Sequence, residues 1–319
     1  MSEDGNGHRH LLSIADVDRN FIISLLDSAR SFAEVSTRPI KKVPALRGRT
    51  IANLFLEPST RTRISFELAA KRLSADVISF SGSTSSISKG ESLKDTAKTL
   101  VAMGVDAVVI RHSSAGSPKM LTGWVDCSVV NAGDGMHEHP TQALLDLFTM
   151  RERLGYLEGL KVAIVGDIDH SRVARSNIHA LNKVGAEVLL VAPRSLLPQR
   201  IEGMGVDITG SLDEALDWCD VLYLLRIQLE RVEESRFPSL REYTLQYGLT
   251  QTRWSNLKRK PLVMHPGPMN RGVEIESSVA DEVESVITGQ VTAGVAVRMA
   301  VLYDLLGGRK QLLDLQKNV

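Results

Sequence analysis

Residues 50–63 read Thr-Ile-Ala-Asn-Leu-Phe-Leu-Glu-Pro-Ser-Thr-Arg-Thr-Arg. The first six residues form a short apolar run that predicts one buried strand. Ser59 then opens a helix whose apolar positions Phe66, Ala69, Ala70 and Leu73 recur at helical spacing. A strand feeding directly into a helix is the unit of parallel α/β folds, and the pattern repeats outward from this stretch. Further strands are expected at 76–80, 107–110 and 128–131, with a second helix near Lys94. A long helix is expected from Pro140 to about Arg153, since Ala143, Leu144, Leu147 and Phe148 share a face and proline suits a first turn. Gly155 and Gly159 interrupt the chain, and the cycle restarts with strands at 161–166, 187–191, 221–225 and 262–264. The last strongly apolar helix is expected at 291–306.

This reading gives an α/β protein with two doubly wound parallel-sheet domains joined by the bridging helix at 140–153. The C-terminal helix packs back on the first domain. The expected division is 1–150 plus 291–319 for the first domain and 151–290 for the second. The length, 319 residues, suits two domains at about 100–200 residues each.

Composition narrows the function. The 38 Lys plus Arg balance 38 Asp plus Glu, which argues against a general nucleic-acid binder. No apolar run approaches the roughly 20 residues of a membrane span. The first ten residues carry acids and glycines where a secretory leader would carry a basic end and an apolar stretch. The two cysteines, Cys127 and Cys219, lie far apart and outside any CxxC, as expected of a reducing, cytoplasmic compartment.

The chemistry concentrates in a few segments. Ser59, Thr60, Arg61, Thr62 and Arg63 place hydroxyls and guanidiniums on one helix start, where unpaired N–H groups and the helix dipole already favour an anion. A lone serine there would read as a cap. Two threonines and two arginines in the same turn point instead to a doubly charged phosphate. Arg111 follows a predicted strand at its C-terminal end, where ligand sites of open α/β sheets form. His139 and Gln142 are three apart at the bridging helix and can address one ligand by polarising a carbonyl and holding an amide. Residues 81–91 form a serine-rich loop with one lysine, Lys89, which reads as surface or as a loop that closes over a ligand.

In the second half, Gly166-Asp167 after a strand invites a dinucleotide reading. The GxGxxG glycines are missing, and no acid follows the next strand to bind a ribose. Arg172 and Arg226 lie past predicted strands instead, with Gln228 close by. Two guanidinium forks suit a dicarboxylate. His265-Pro266-Gly267-Pro268 forms a rigid turn that can aim carbonyls at a ligand.

Together these motifs resemble the aspartate/ornithine carbamoyltransferase family nearly end to end, from about Leu11 to the C-terminal helix. Ser-Thr-Arg-Thr-Arg at 59–63 is similar to the family's carbamoyl-phosphate loop, and His-Pro-Thr-Gln at 139–142 to its second signature about eighty residues on. Arg226-Ile227-Gln228 and His265-Pro266-Gly267-Pro268 resemble the aspartate branch. The ornithine branch typically carries a cysteine after that histidine and an Asp-x-x-x-Ser-Met-Gly motif, both absent here. Gly267 stands where some aspartate enzymes have leucine. A backbone carbonyl acts there, so little consequence is expected.

The resemblance implies transfer of the carbamoyl group of carbamoyl phosphate to the α-amine of L-aspartate, in de novo pyrimidine (UMP) synthesis, without cofactor or metal. Ser59, Thr60, Arg61 and Thr62 would hold the phosphate, and Arg111 the phosphate and carbonyl. His139 would bond the carbonyl oxygen, with Thr62, Arg111 and His139 as the catalytic set. Gln142 and the backbone at Gly267 and Pro268 would hold the carbamoyl amine. Arg172, Arg226, Gln228 and Lys89 would bind aspartate. Ser85 and Lys89 would come from the neighbouring subunit of a homotrimer with shared sites. A regulatory chain or a dihydroorotase is left open as a further partner, and neither nucleic acid nor membrane is expected. Ornithine carbamoyltransferase is the nearest alternative, and a nicotinamide oxidoreductase the more distant one.

Overall fold

The computed structural model describes residues 8–81, 91–227, 239–282 and 287–307. The chain divides into two units, Met1–Leu144 with Val291–Val319, and Leu145–Gln290.

In the first unit, helix α1 (Arg19–Val35) precedes strand β1 (Thr50–Phe55), α2 (Thr60–Arg72), β2 (Asp76–Ser81), α3 (Leu93–Ala102), β3 (Ala107–His112), α4 (Ser117–Thr122) and β4 (Ser128–Asp134). The strands form one sheet in the order β2-β1-β3-β4, with every pairing parallel. Burial runs unbroken along β4 and along β1 past its first residue, as a parallel sheet covered on both faces requires. One face buries Ala52, Leu54, Val108, Ile110 and Val129 with Ala97 and Leu100 of α3 and Leu121 of α4. On α1, Ile22, Leu25, Leu26 and Ala29 are buried at helical spacing. Each fully buried Ile or Leu contributes about 1.5–3 kcal/mol. The segment before α1 adds an edge to the sheet, because the Leu11 N–H donates to Val129 O and the Asn131 N–H to Leu11 O, both at 2.9 Å.

Helix α5 (Pro140–Leu154) follows, and the division between the units falls within it. The second unit continues with β5 (Lys161–Val165), α6 (Arg172–Val184), β6 (Glu187–Val191), β7 (Asp207–Thr209), α7 (Leu212–Trp218), β8 (Val221–Leu224), α8 (Leu240–Tyr247), α9 (Gln251–Asn256), β9 (Leu262–Met264) and α10 (Ser277–Ala280). Its sheet runs β7-β6-β5-β8-β9, again all parallel.

The last helix, α11 (Ile287–Leu305), begins four residues before the expected 291 and returns the chain to the first unit. From Val295 to Leu302 it is buried all round. Arg298, 4% exposed, is the one charged side chain in that stretch. Its Nη1 donates to Ser65 Oγ of α2 at 2.8 Å, and its guanidinium lies 5.1 Å from the Phe66 ring centre.

Three strands run past their expected ends, β2 by one residue to Ser81. β3 extends to His112 and β4 to Asp134, so Arg111 lies within its strand rather than after it. The sequence Ala132-Gly133-Asp134 looks like a turn, but its backbone is held in the sheet by pairing with β3 across a register shift. β7, three residues long, carries no periodic signal. Conversely, β5 stops at Val165 and β8 at Leu224, one residue short of expectation in each case. Among the described residues, no helix is long and apolar enough to cross a membrane.

Replacing Arg298 with alanine leaves a cavity and strips the Ser65 hydroxyl of its donor. Denaturant unfolding should show a loss of about 2–4 kcal/mol.

Candidate functional site

In a doubly wound sheet the connections leave opposite faces on either side of one strand pair, which opens a crevice at the C-terminal ends of those strands. In the first unit that pair is β1 and β3. The 59–63 turn leaves β1 at this point, and Arg111 is the register partner of Phe55, the last residue of β1. The Leu56 N–H donates to Arg111 O at 2.9 Å and fixes the exit.

Ser59 sits at the N-cap of α2, yet its hydroxyl makes no capping bond. Six other helices are capped by a side chain that accepts a first-turn N–H: Asp18, Ser92, Ser171, Ser211, Ser239 and Thr250. Capping therefore does not account for the Ser59 hydroxyl. Thr62 is buried one turn in, while Thr60 and Arg61 are exposed.

Arg111 is held on both sides. Nη2 bonds Glu57 Oε1 at 2.8 Å, and Nη1 donates to Ala132 O at 3.2 Å. The sequence reading missed Glu57. Its signal was weak, a single acid two residues before the serine.

His139 is buried and directly precedes α5, with the Gln142 N–H donating to its carbonyl at 2.9 Å. The turn that delivers it is built on buried acids. Asp134 accepts the Gly116 N–H at 2.7 Å and the Asn131 amide at 2.8 Å, and it pairs with the His137 ring at 3.0 Å. Glu138 accepts the Ile14 N–H at 2.9 Å and the Ser13 hydroxyl. The Asp134 N–H donates to Glu138 O at 3.2 Å, and the Glu138 N–H donates back to the Asp134 carboxylate at 3.2 Å. His137 is thus a structural partner of Asp134.

In the second unit the corresponding strand pair is β5 and β8. Gly166 follows β5 at φ +130°, and a Cβ there would lie 2.7 Å from Leu225 O. Only glycine lets the two exits approach so closely. Asp167 turns back on its own loop and accepts the His170 N–H at 3.2 Å, with the His170 ring at 2.8 Å. Arg172 is the buried first residue of α6, and Arg226 is half-buried two residues past β8. The two arginines thus follow the adjoining strands β5 and β8.

β9 lies beside β8 and leads into the 265–268 turn, where Gly267 has φ +63°. The Gly267 N–H donates to His265 Nδ1 at 2.8 Å. Ser85, Lys89 and Gln228 lie outside the described residues.

The two cysteines supply no nucleophile. Burial pushes the Cys219 thiol up to about 12 and raises Cys127 as well. Among the described residues, no group of three or more His, Cys, Asp or Glu is placed to hold a metal.

Residues 9–152 match the model of the aspartate/ornithine carbamoyltransferase carbamoyl-P binding domain, and residues 158–305 that of the Asp/Orn binding domain. The chain belongs to the aspartate/ornithine carbamoyltransferase family. Its similar proteins include aspartate members of the family. The aspartate carbamoyltransferase catalytic subunit of Thermobifida fusca is 60% identical over 300 residues, covering 94% of this chain and 96% of the relative. Aspartate transcarbamoylase of Trypanosoma cruzi, solved with carbamoyl phosphate and aspartate, superposes with TM-score 0.85 at 32% identity, over 94% of this chain and 97% of that one. The catalytic subunit of M. Jannaschii aspartate transcarbamoylase gives TM-score 0.82 at 37% identity, over 93% of this chain and 98% of that one.

The uncapped serine gives a direct test. Ser211→Ala, which removes a working cap, should cost about 0.5–2 kcal/mol. Ser59→Ala should cost less than that in the same denaturant unfolding experiment while weakening phosphate binding.

Proposed function

We propose that this carbamoyltransferase transfers the carbamoyl group of carbamoyl phosphate to the α-amine of L-aspartate, giving N-carbamoyl-L-aspartate and phosphate. The observation that carries the reading is the Ser-Thr-Arg-Thr start of α2, its serine free of capping duty, beside Arg111 at the β1/β3 crevice. The first unit serves carbamoyl phosphate through Ser59, Thr60, Arg61, Thr62, Arg111, His139 and Gln142. The second serves aspartate through Arg172 and Arg226, together with Gln228. Gly267 and Pro268 contribute backbone to the carbamoyl amine.

The neutral amine nitrogen attacks the carbonyl carbon, and the bond to the bridging oxygen breaks as phosphate leaves. The departing phosphate takes the amine proton. Phosphate is already a good leaving group, so the protein's task is orientation and charge. Two anionic ligands repel each other, and each charge-assisted hydrogen bond contributes about 1.5–3 kcal/mol net toward holding them. Orientation contributes a further ~7–11 kcal/mol to lowering the barrier. Thr62, Arg111 and His139 donate to the oxygen that gains charge. The aspartate branch, rather than the ornithine one, fits the pair of arginines at the β5/β8 crevice, because ornithine's side chain ends in an amine that two guanidiniums would repel. The enzyme acts in the cytoplasm as a homotrimer, with Ser85 and Lys89 reaching the neighbouring subunit's site, in the synthesis of pyrimidines.

Supplying carbamoyl phosphate with either amino acid tests the assignment. N-carbamoyl-L-aspartate should form, and citrulline should not. His139→Ala should lower turnover about 100–1,000-fold with little change in aspartate saturation. Arg226→Ala should chiefly raise the aspartate concentration needed. Steady-state kinetics with aspartate varied separates the two.

A further inference from the structure

The turn at 265–268 has little secondary structure of its own, yet it is tied down by a set of buried side chains from four other elements of the second unit. Gln290 of α11 accepts the His265 N–H through Oε1 at 2.9 Å, and its Nε2 donates to Asp146 of α5 at 2.7 Å. Asp146, completely buried, also accepts the Tyr223 hydroxyl of β8 at 2.6 Å and the Asn177 amide of α6 at 3.0 Å. On its ring side, His265 faces Glu274, 1% exposed, with Nε2 and Oε1 3.2 Å apart. The same Oε1 accepts the Asn270 N–H at 2.6 Å.

These bonds determine the tautomer. The Gly267 N–H can only donate, so His265 Nδ1 presents a lone pair, and the ring hydrogen sits on Nε2, directed at Glu274. Both ring nitrogens are committed to holding the turn, which leaves His265 no part as an acid or base. The backbone N–H of His265, its ring and the N–H groups of Gly267 and Asn270 are all anchored by these groups. None of these bonds uses the carbonyls of Pro266, Gly267 or Pro268.

We propose that Glu274 and Gln290 are positioning residues that clamp this turn, Glu274 through the His265 ring and Gln290 through the His265 backbone. The clamp aims the turn's carbonyls at the carbamoyl amine. The proposal rests on the function assigned above. It makes the clamp a determinant of selectivity for an N–H-bearing acyl phosphate, because carbonyl acceptors reward an amine and gain nothing from a methyl group.

Acetyl phosphate, which carries a methyl where carbamoyl phosphate carries its amine, reads this out as a competing ligand. In Glu274→Leu and Gln290→Leu, the KM for carbamoyl phosphate should rise roughly 5–30-fold, the worth of one to two neutral hydrogen bonds. The inhibition constant of acetyl phosphate should change less than about two-fold on the same basis. Glu274→Gln keeps an acceptor oxygen and should restore carbamoyl phosphate affinity to near wild type. Should the leucine variants not fold, Glu274→Asp and Gln290→Asn carry the same prediction, since each withdraws its acceptor by one methylene. Equal weakening of both acyl phosphates, no weakening of either, or failure of Glu274→Gln to rescue would overturn the clamp. A wild-type chain that forms no N-carbamoyl-L-aspartate would instead overturn the functional reading itself, before any variant is compared.

Discussion

Positive charge gathered at one edge of a sheet repels itself, and everything distinctive in this chain serves to hold such charge in place. A parallel sheet makes the gathering possible because all its strands end on one side and its helices begin there. At the β1/β3 crevice, the start of α2 brings a dipole end, hydroxyls and guanidiniums to the point where β3 presents Arg111. Glu57 and the Ala132 carbonyl keep the Arg111 fork oriented. A guanidinium with its rotamers already fixed gives up little freedom when an anion arrives, and that preorganisation is where binding energy is conserved.

The rigidity comes from below and from behind. Two sheets buried on both faces set the strand ends, and α11 brings Arg298 beneath α2, so that α2 rests on a buried hydrogen bond as well as on apolar packing. Behind the loops stand buried polar networks: Asp134 with Glu138 before His139, Asp146 with Gln290, and Glu274 with His265. A buried polar group left unpaired costs about 1–3 kcal/mol, so each network allows few alternative loop conformations. Loops otherwise lack the geometric precision that a reaction driven by orientation demands.

How much of this was readable in the chain follows from the range of each interaction. Runs such as 50–55 and 161–165, and the helical spacing of Phe66, Ala69 and Ala70, are local, and they place strands and helices within a residue or two. The Ser-Thr-Arg-Thr-Arg and His-Pro-Thr-Gln segments are also local, since the chemistry of an anion at a helix start needs its residues within one turn. The ends of β3 and β4 were misjudged because Gly133 and Asp134 belong to a turn by propensity, and only pairing with a neighbouring strand keeps them in the sheet. Glu57, Glu138, Asp146, Glu274 and Arg298 carry no local signal of their roles. Their partners lie far along the chain, and no periodicity announces them.

The sequence by itself determined the alternation of strand and helix, the placing of anion-binding groups at helix starts and strand ends, and the family. Each of these depends on neighbours within a turn or a single strand. Only the tertiary structure decided which strands adjoin, and so which two exits form each crevice. It also decided that the Ser59 hydroxyl makes no capping bond, that Arg111 is held by Glu57, and which buried acids hold the loops around His139 and His265. Those outcomes depend on contacts between residues distant in the chain, where the cost of burying a charge is met by a partner that no local pattern specifies.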